Sequence, residues 1–479
     1  ISGRPPIGTG RRAQGDVMAS ESSLAAKSGS IGPEDLARLD ETEGLQDRGK
    51  VLATACMGFF TDAYDLFIIG LVLVILKKQW GVTGGIEKLG ASSVALLTAA
   101  FGSWAFGRLA DRYGRKSVYG WEMLVLAAGA LASAFSPNIW WLIGFRAILG
   151  FGIGGDYPVS STIMSEYAGR RDRGKLVALV FSAQGIGLVV GPLIAVVLLA
   201  AGVAPDPTWR ILLGLGALPA LSVFWMRRQI AETPRFRLAQ QDRAADRRAE
   251  RTRLLGNRML ARWLFAASIT WFLFDFAYYG DTIASDSIVK KVVAHATPLQ
   301  TSGIELGIFA IFSLPAFYIA AFTIDRIGRR RLQIFGFLGI AVFFALVWAI
   351  PGATGATIPF ILLFGATYFF SQCGPNTTTF VYPSEIFPVD VRTTGNGIAS
   401  GIAKMGAFAG AAILPALVDS MGISDMVLIP AALALAGAIF TLMLPEPAGN
   451  TLEEISEPSS RTAANQQPTT GGQIAHNPG

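Results

Sequence analysis

The chain has 479 residues, of which 52% are hydrophobic and only 15% are charged, whereas soluble domains carry roughly 25% charged residues. This composition excludes a disordered chain, a coiled coil and a disulfide-rich secreted module. The net charge of +6 has to be placed relative to the apolar segments before it indicates any partner. With two cysteines and two histidines, we predict no disulfide framework, no metal site and no cofactor.

Twelve apolar stretches run along the chain, and most reach the roughly 20 residues that a helix needs to cross the hydrocarbon core of a bilayer. The bilayer interior offers no water to backbone groups, so each stretch is predicted to be an α-helix. The stretches lie near residues 51–75, 91–110, 117–136, 138–165, 176–202, 209–226, 263–283, 303–324, 332–350, 357–382, 395–418 and 424–444. The polar segments 1–50 and 445–479 are predicted to be tails.

Lysine and arginine are concentrated in alternate loops, those after the second, fourth, sixth and eighth stretches. The loop after the sixth stretch, residues 227–262, contains eleven arginines. Because positively charged loops stay in the cytoplasm, both termini are predicted to be cytoplasmic. This arrangement explains the net charge without a nucleic-acid partner. Attraction of the basic loops to anionic lipid is an additional interpretation.

The chain also repeats two motifs at half-chain spacing. The sequence DRYGRK at 111–116 recurs as DRIGRR at 325–330. A Ser-Glu pair followed by an arginine is repeated as well, as Glu166 with Arg173 and as Glu385 with Arg392. Both repeats indicate that the two halves of the chain share one architecture.

Two homologous six-helix halves explain these repeats. We predict them at 51–226 and 263–444, joined by the arginine-rich linker 227–262 on the cytoplasmic side. Parallel halves of this kind build transporters in which the substrate site lies near the membrane midplane, between the halves. The sequence therefore predicts a carrier with one central site. Nothing resembling a Ser/His, Cys/His or metal constellation supports an enzyme.

Six ionisable residues lie inside the predicted helices: Asp62, Asp65, Arg146, Asp156, Asp275 and Lys404. A charge near the bilayer centre costs at least about 2.5–3.5 kcal/mol on insertion scales, so such residues usually face a cavity and act on substrate or protons. The alternative for any one of them is a buried structural pair, for example Arg146 with an aspartate. Glu122, near the end of the third helix, is assigned a structural role.

The segment GRLADRYGRK at 107–116 resembles the signature loop of the major facilitator superfamily. A short loop with charges of both signs can bridge neighbouring helix ends and hold one gate conformation. The resemblance implies an all-α membrane protein of the major facilitator fold, with twelve transmembrane helices in two pseudo-symmetric halves. The gate residues that it implies are Asp111, Arg112, Arg115, Glu166, Arg173, Asp325, Arg326, Glu385 and Arg392.

The segment GDYPVSSTIMSE at 155–166 closely resembles the fourth-helix signature of the phosphate:proton symporter family of fungi and plants. Four further segments are similar to that family's first, seventh, tenth and eleventh helices: GFFTDAYDLF at 58–67, WFLFDFAYYG at 271–280, GPNTTTF at 374–380 and GIAKMGA at 401–407. The chain departs from the family pattern at three positions. These are Asp281 and Asp286, where less acid is expected, and Asn396, where the family often has histidine.

The resemblance implies a plasma-membrane protein that imports inorganic phosphate together with protons by alternating access. The phosphate pocket that it implies consists of Tyr157, Gln184, Trp271, Asp275, Tyr279, Asn376 and Lys404. The proton path that it implies consists of Asp62, Asp65, Arg146 and Asp156. The implied partners are phosphate, protons and the lipid bilayer, and the oligomeric state stays open.

The chemistry of these residue types agrees with the implied pocket. Lys404 supplies a point charge for an anion, and the tyrosine, tryptophan and amide side chains are neutral donors to phosphate oxygens. Asp275 is an acceptor, which suits phosphate because phosphate keeps an O–H at cellular pH and sulfate does not. Two alternatives stay open: a sugar or organic-ion facilitator of the same superfamily, and a receptor that binds phosphate and signals.

Overall fold

The computed structural model describes residues 48–82, 85–242, 254–293 and 298–456, and the described residues form helices without strands. Nearly all of the predicted N-terminal tail, the middle of the linker and the end of the C-terminal tail lie outside these ranges. Twelve long helical segments follow one another, and two shorter helices, Pro234–Asp242 and Leu452–Ser456, come after the sixth and the twelfth of them.

The helices of the N-terminal bundle are α1 (Arg48–Gln79), α2 (Gly85–Tyr113), α3 (Arg115–Ala134), α4 (Ile139–Tyr167), α5 (Arg173–Ala200) and α6 (Pro205–Arg228). Those of the C-terminal bundle are α7 (Arg258–Val292), α8 (Gly303–Ile327), α9 (Arg329–Ala349), α10 (Thr357–Ile386), α11 (Arg392–Met421) and α12 (Ile423–Thr441). Each contains one of the predicted apolar stretches. The predicted all-α, twelve-helix architecture is therefore confirmed in the described part of the chain.

Among the described residues, eleven of these helices are long and apolar enough to cross a membrane by length and composition. The remaining one is α4, which has 29 residues and is long enough to span. It carries Arg146, Asp156 and Glu166, which lower its apolarity, and all three side chains are buried. The protein is a multi-pass membrane protein, and α4 is one of the helices that carry ionisable groups into its interior.

The two bundles meet along two equivalent pairs of helices. Within the N-terminal bundle α1 packs on α5 and α2 on α4, and within the C-terminal bundle α7 packs on α11 and α9 on α12. Between the bundles, α2 packs on α11 and α5 on α8. The sequence repeat relates α2 to α8 and α5 to α11, so it exchanges these two contacts. The pseudo-symmetry therefore places one surface of each bundle against the equivalent surface of the other bundle.

Glycine allows α2 and α11 to approach closely. A Cβ added to Gly107 would lie 3.1 Å from the Cα of Gly397 and 2.6 Å from the carbonyl oxygen of Thr393, closer than packed side chains allow. A Cβ on Gly401 would lie 2.9 Å from the carbonyl oxygen of Ala100. Small residues at such crossings let two backbones touch inside a membrane.

Two helix irregularities position polar groups near the centre. Pro158 in α4 has no N–H to donate to the carbonyl of Gly154, and the hydroxyl of Ser103 on α2 donates to that carbonyl instead, at 2.8 Å. In α10 a π-helical turn, Gln372–Asn376, contains Pro375. Widened turns of this kind re-aim side chains and are frequent at functional sites. Here the turn carries both Gln372 and Asn376.

The sixth helix continues to Arg228, two residues beyond Met226, the last residue that we assigned to the N-terminal bundle. Arg227 was counted among the linker arginines, but it lies in this helix and is fully buried. Glu122 and Asp156 surround its guanidinium. The position of an arginine in the sequence does not show whether it lies in a loop or pairs with two buried carboxylates inside the bundle.

Candidate functional site

The centre of the molecule contains a buried ion pair between two helices of the C-terminal bundle. Lys404 on α11 and Asp275 on α7 are each 1% exposed, and the lysine Nζ lies 2.9 Å from the aspartate Oδ2. The same ammonium donates to the hydroxyl of Tyr279, one turn further along α7, at 3.2 Å. A buried lysine needs such partners, because an unpaired ammonium is far more costly in a low-dielectric interior.

Aromatic rings from both bundles surround this ion pair. Nζ of Lys404 lies 4.3 Å from the ring centroid of Tyr157 on α4 and 4.6 Å from that of Tyr279. These distances are within the range of cation–π attraction. The ring of Trp271 on α7 lies 6.1 Å from that of Tyr157, and Phe380 on α10 lies 6.2 Å from it. Side chains of both bundles therefore contact the charge of Lys404.

Five of the seven residues of the expected phosphate pocket belong to this contact network: Tyr157, Trp271, Asp275, Tyr279 and Lys404. Asn376 joins it indirectly. Its amide donates to Oε1 of Gln372, whose own amide donates to the Tyr278 hydroxyl at 3.1 Å, and the rings of Tyr278 and Tyr279 are 5.5 Å apart. Gln184 on α5 is buried, and its Oε1 has no hydrogen-bond partner among the described residues.

A second buried cluster of charges lies in the N-terminal bundle. Arg227 at the end of α6 pairs with Asp156 on α4 at 2.7 Å and also with Glu122 on α3. The Asp156 carboxylate accepts a hydrogen bond from Ser160, and the guanidinium lies 4.1 Å from the ring centroid of Tyr119. Asp156 is thus paired with an arginine. The structural role of Glu122 stays a prediction, which its contact with Arg227 supports.

The two aspartates of α1 differ from Asp156 in their partners. Asp62 is fully buried, and neither of its carboxylate oxygens has a hydrogen-bond partner in the described part of the chain. It lies within electrostatic reach of Asp156, Arg227 and Asp65. The carboxylate of Asp65 likewise has no hydrogen bond to a described residue.

Arg146 on α4 approaches the backbone of α1 rather than an acid. Its guanidinium donates to the carbonyl oxygen of Asp65 at 3.1 Å and makes no ion pair among the described residues. The Asp65 carboxylate instead faces α6, since a Cβ on Gly216 would lie 2.6 Å from Asp65 Cγ. The two side chains still attract each other electrostatically, so the alternative of a structural pair between Arg146 and an aspartate stays open.

The loop motifs form two equivalent bridges between the bundles. The Asp111 carboxylate at the end of α2 accepts hydrogen bonds from the backbone N–H groups of Thr393 and Thr394, at 3.3 and 2.6 Å, in the first turn of α11. The Asp325 carboxylate at the end of α8 accepts from Gly174 and Lys175, at 3.1 and 2.7 Å, in the first turn of α5. A helix N-terminus favours a carboxylate because its N–H groups are free and its dipole is positive.

Ion pairs reinforce each bridge. Arg115 lies 3.3 Å from Glu166, and Arg392 of the opposite bundle lies 3.0 Å from the same carboxylate. In the C-terminal bundle, Arg329 pairs with Glu385 at 2.8 Å. These contacts close the side of the molecule on which the basic loops lie.

The remaining expected gate residues are placed differently. Arg112 and Arg326 are exposed, and Arg173 donates to the carbonyl oxygen of Asn450 at 3.2 Å. The equivalent of Arg115 is Arg329, which sequence reasoning did not select, although the repeat of 111–116 at 325–330 aligns these two arginines. Arg227 is the other residue that was missed, and its position at a helix end gave no signal.

The segment that follows each bundle contacts the loop that carries the repeated motif, 111–116 or 325–330. Glu232 accepts a hydrogen bond from the backbone of Lys116 at 3.1 Å, and Glu446 accepts one from the backbone of Arg330 at 2.9 Å. Burial raises the pKa of Glu232 above its ordinary value, although the backbone N–H groups of Thr233 and Lys116 act in the opposite direction. The contacts of Glu232 and Glu446 occupy equivalent positions in the half-chain repeat.

The C-terminal helix docks on the linker through one ion pair. Nε of Arg235 lies 3.1 Å from the carboxylate of Glu453. Burial raises the pKa of Glu453, but the attraction of Arg235 and Arg392 outweighs burial, so its pKa lies below the ordinary glutamate value. The end of the chain is thereby connected to both bundles on the gate side.

The departures from the expected pattern are also placed. Asn396 on α11 donates to the hydroxyl of Ser161 on α4 at 2.6 Å, a contact between the bundles. Asp281 on α7 lies in a cavity of the C-terminal bundle. The side chain of Asp286 is not among those described.

Comparison with known proteins gives consistent matches along the chain. The family described as Major Facilitator Superfamily matches residues 55–383 and 297–478. The chain is 32% identical to "Probable inorganic phosphate transporter 1-6" of Arabidopsis thaliana over 475 residues, covering 84% of this chain and 92% of that protein. It is 33% identical to "Inorganic phosphate transporter 1-6" of Oryza sativa subsp. japonica, covering 85% of this chain and 91% of that protein.

Solved structures resemble the fold. The proton:xylose symporter XylE bound to 6-bromo-6-deoxy-D-glucose superimposes with a TM-score of 0.74 at 19% identity, covering 85% of this chain and 98% of that chain. A partially occluded, inward-open form of XylE from E. coli gives a TM-score of 0.66 at 18% identity, covering 85% and 100%. At these identities the likeness describes the arrangement of the twelve helices.

Proposed function

We propose, on the premise that the chain belongs to the major facilitator superfamily and within it to the phosphate:proton symporter family, that it imports inorganic phosphate together with protons. The observation that carries this proposal is the buried pair of Lys404 and Asp275, which faces Tyr157 of the other bundle. A charged lysine at the meeting point of two bundles is suited to an anion that both bundles contact in turn.

The pocket is proposed to bind phosphate through one charge and several neutral donors. Lys404 attracts the anion, and the Tyr157 and Tyr279 hydroxyls donate to its oxygens. Trp271 and the amides of Asn376 and Gln184 complete the expected set. Asp275 accepts the remaining O–H of phosphate.

Asp275 is also the proposed basis of selectivity. Sulfate at cellular pH has no O–H to donate, so its binding would leave the Asp275 carboxylate facing an anion without a hydrogen bond. An unsatisfied buried acceptor costs about 1–3 kcal/mol, and more when it is charged. That penalty corresponds to a preference for phosphate of tenfold or more.

Proton coupling is assigned to the carboxylates of the N-terminal bundle. Asp156 has an arginine partner, whereas Asp62 and Asp65 have no hydrogen bonds to their carboxylates among the described residues. An unpaired buried carboxylate is most easily accommodated when it carries a proton. We therefore assign proton uptake to Asp62 and Asp65, with Arg146 and Asp156 beside them on α4.

In the proposed mechanism, binding of phosphate and protons changes the relative stability of the contacts between the two bundles. Binding of phosphate and protons favours reorientation, and the bridges at Asp111 and Asp325 open and close the gate side. We also propose that this side and both termini are cytoplasmic, because the basic loops lie there, and that the protein lies in the plasma membrane, because the proposed import takes phosphate from outside the cell. The conformation described here is closed on that side.

The test uses the full chain in proteoliposomes. Uptake of radiolabelled phosphate is measured with and without an inward proton gradient, in competition with sulfate, arsenate and xylose. We expect uptake that the gradient drives, that arsenate inhibits, and that sulfate and xylose leave unchanged. Uptake independent of the gradient would remove the coupling, and inhibition by xylose alone would favour a sugar carrier.

A pair of lysine variants tests the pocket. Lys404→Ala is expected to abolish phosphate uptake, because it removes the charge that attracts the anion. Lys78→Ala is the matched control, since Lys78 is exposed at the end of α1. Normal uptake by Lys404→Ala would remove this residue from the pocket. Phosphate binding without any uptake by the unaltered chain would favour a receptor.

A further inference from the structure

An acidic cavity lies within the C-terminal bundle, apart from the Lys404 site. It lies between α7, α9, α10 and α12, and its volume of about 20 Å³ is enough for about one water molecule. Its walls are mainly aromatic and aliphatic, yet Asp281 contributes a carboxylate. Asp281 is 4% exposed, and its Oδ1 has no hydrogen-bond partner among the described residues. A buried carboxylate without partners requires either a proton or water.

No positively charged side chain is among the residues that line this cavity. From α7 the titratable neighbour is Tyr278, and from α10 it is Tyr368, on which Glu305 of α8 acts electrostatically. The lining residues from α9 and α12 are apolar, and Thr367 and Ser371 of α10 add hydroxyl groups. Asp281 therefore faces no counterion that would hold it permanently ionised.

A chain of hydrogen bonds connects the wall of this cavity to the proposed phosphate pocket. Tyr278, one turn before Asp281 on α7, accepts a hydrogen bond from Gln372 at 3.1 Å. Gln372 in turn accepts one from the amide of Asn376, an expected phosphate ligand. Asp281 is also six residues from Asp275 along α7, which corresponds to about 9 Å of helix axis.

We infer that Asp281 is a second proton-binding site, in the C-terminal bundle, whose protonation strengthens phosphate binding by removing a negative charge near the proposed pocket. This inference rests on the proposed function. The sign follows from charge, because an ionised Asp281 lies on the order of 10 Å from a bound anion and repels it. At an effective dielectric constant of about 20 this repulsion weakens binding by about tenfold. By linkage, phosphate binding then draws a proton onto Asp281.

The experiment measures the dissociation constant of inorganic phosphate for the purified full chain, by titration calorimetry, from about pH 5 to about pH 8. Asp281→Asn, which mimics the protonated state, is compared with the unaltered chain. We expect the variant to bind phosphate more tightly at the alkaline end and to have a shallower pH profile. One lost proton reduces the slope by up to about tenfold per pH unit. The titration of free phosphate is common to both proteins and cancels.

Two companion variants keep the inference testable. Asp425→Asn, at an exposed position at the start of α12, is the matched control and should keep the original profile. Asp281→Ser also removes the carboxylate, and it should give the same shallower profile. It serves as the second test if Asp281→Asn does not fold.

The outcomes separate this inference from the proposed function. If the unaltered chain binds no phosphate, the proposed function itself fails. If it binds phosphate and Asp281→Asn has the same affinity and slope, the second proton site is overturned. Where Asp281→Asn does not fold, a profile for Asp281→Ser that equals the original overturns the inference.

Discussion

The carboxylate of Asp325 lies 2.7 Å from the backbone nitrogen of Lys175 in the opposite bundle, and Asp111 reproduces this contact with Thr394 at 2.6 Å. Each aspartate ends the second helix of its bundle and binds the first turn of a helix in the other bundle. This contact between the bundles therefore occurs twice, and each copy depends on a carboxylate that accepts hydrogen bonds from a helix N-terminus.

Removing one of these carboxylates should shift the bundles toward the form that is open on the gate side. A hydrogen bond to a charged group contributes about 1.5–3 kcal/mol, so Asp325→Ala or Asp111→Ala should change the ratio of closed to open molecules by tenfold or more. Distances between spin labels on the gate-side ends of α2 and α11 report this ratio. Arg112→Ala, an exposed change in the same loop, is the control, and an unchanged distance distribution in both aspartate variants would contradict the prediction.

Arg227 should matter for stability far more than its neighbour. Arg227→Ala leaves Asp156 and Glu122 buried without their counterion, and breaking a buried pair in this way costs about 3–5 kcal/mol. We expect a clear loss of thermal stability in detergent, followed by fluorescence-detected size-exclusion chromatography. Arg228→Ala, at an exposed position, should have little effect. Adding Glu122→Gln to Arg227→Ala should restore part of the loss, since one uncompensated charge is removed, and a further loss would be evidence against this account.

Asp275→Asn should change selectivity as well as rate. The amide can donate as well as accept, so the penalty against an anion without an O–H falls. We expect phosphate uptake to decrease by tenfold or more, because Lys404 loses its partner, while sulfate begins to compete. The measurement is radiolabelled phosphate uptake at increasing sulfate concentration. Retained discrimination against sulfate in a folded Asp275→Asn protein would argue that another group reads the phosphate hydroxyl.

The contact between Arg235 and Glu453 should stabilise the protein at every pH above the ordinary glutamate pKa and should be lost in stronger acid. The pKa of Glu453 is depressed in the folded chain, so its contribution is present above the ordinary glutamate pKa of about 4.3 and is lost as pH falls through the lower folded value. The Glu453 side chain is 46% exposed, so the contribution is about 1 kcal/mol or less.

Thermal midpoints of Glu453→Gln and of the unaltered chain test this pH dependence. The midpoints should differ slightly near about pH 7 and converge in acid. In the double variant, Glu453→Gln should add nothing to Arg235→Ala, which by itself also removes a hydrogen bond to the carbonyl oxygen of Glu166. A difference that persists at acid pH would indicate that packing, and not charge, connects this helix to the linker.

The residues of the candidate site illustrate how far the sequence reaches. Lys404 and Asp275 stand out because ionisable groups inside long apolar helices are costly and are retained for a purpose. Their contact at 2.9 Å depends on how α7 and α11 pack. The half-chain repeat aligns Arg329 with Arg115, yet selecting residues by position in the motif led to Arg326, which is exposed.

Apolar length, read along the chain, predicted the twelve helices and the polar residues within the membrane, since both depend on local hydrophobicity, and the recurring motifs indicated the repeat. Only the tertiary structure decided that Asp156 has an arginine partner, that the Asp62 carboxylate has no hydrogen bond to a described residue, and that Arg227 belongs to the bundle and not to the linker. The physical reason is that the cost of a buried charge depends on which group from a distant helix lies within a few ångströms, and neighbours in sequence do not specify that distance.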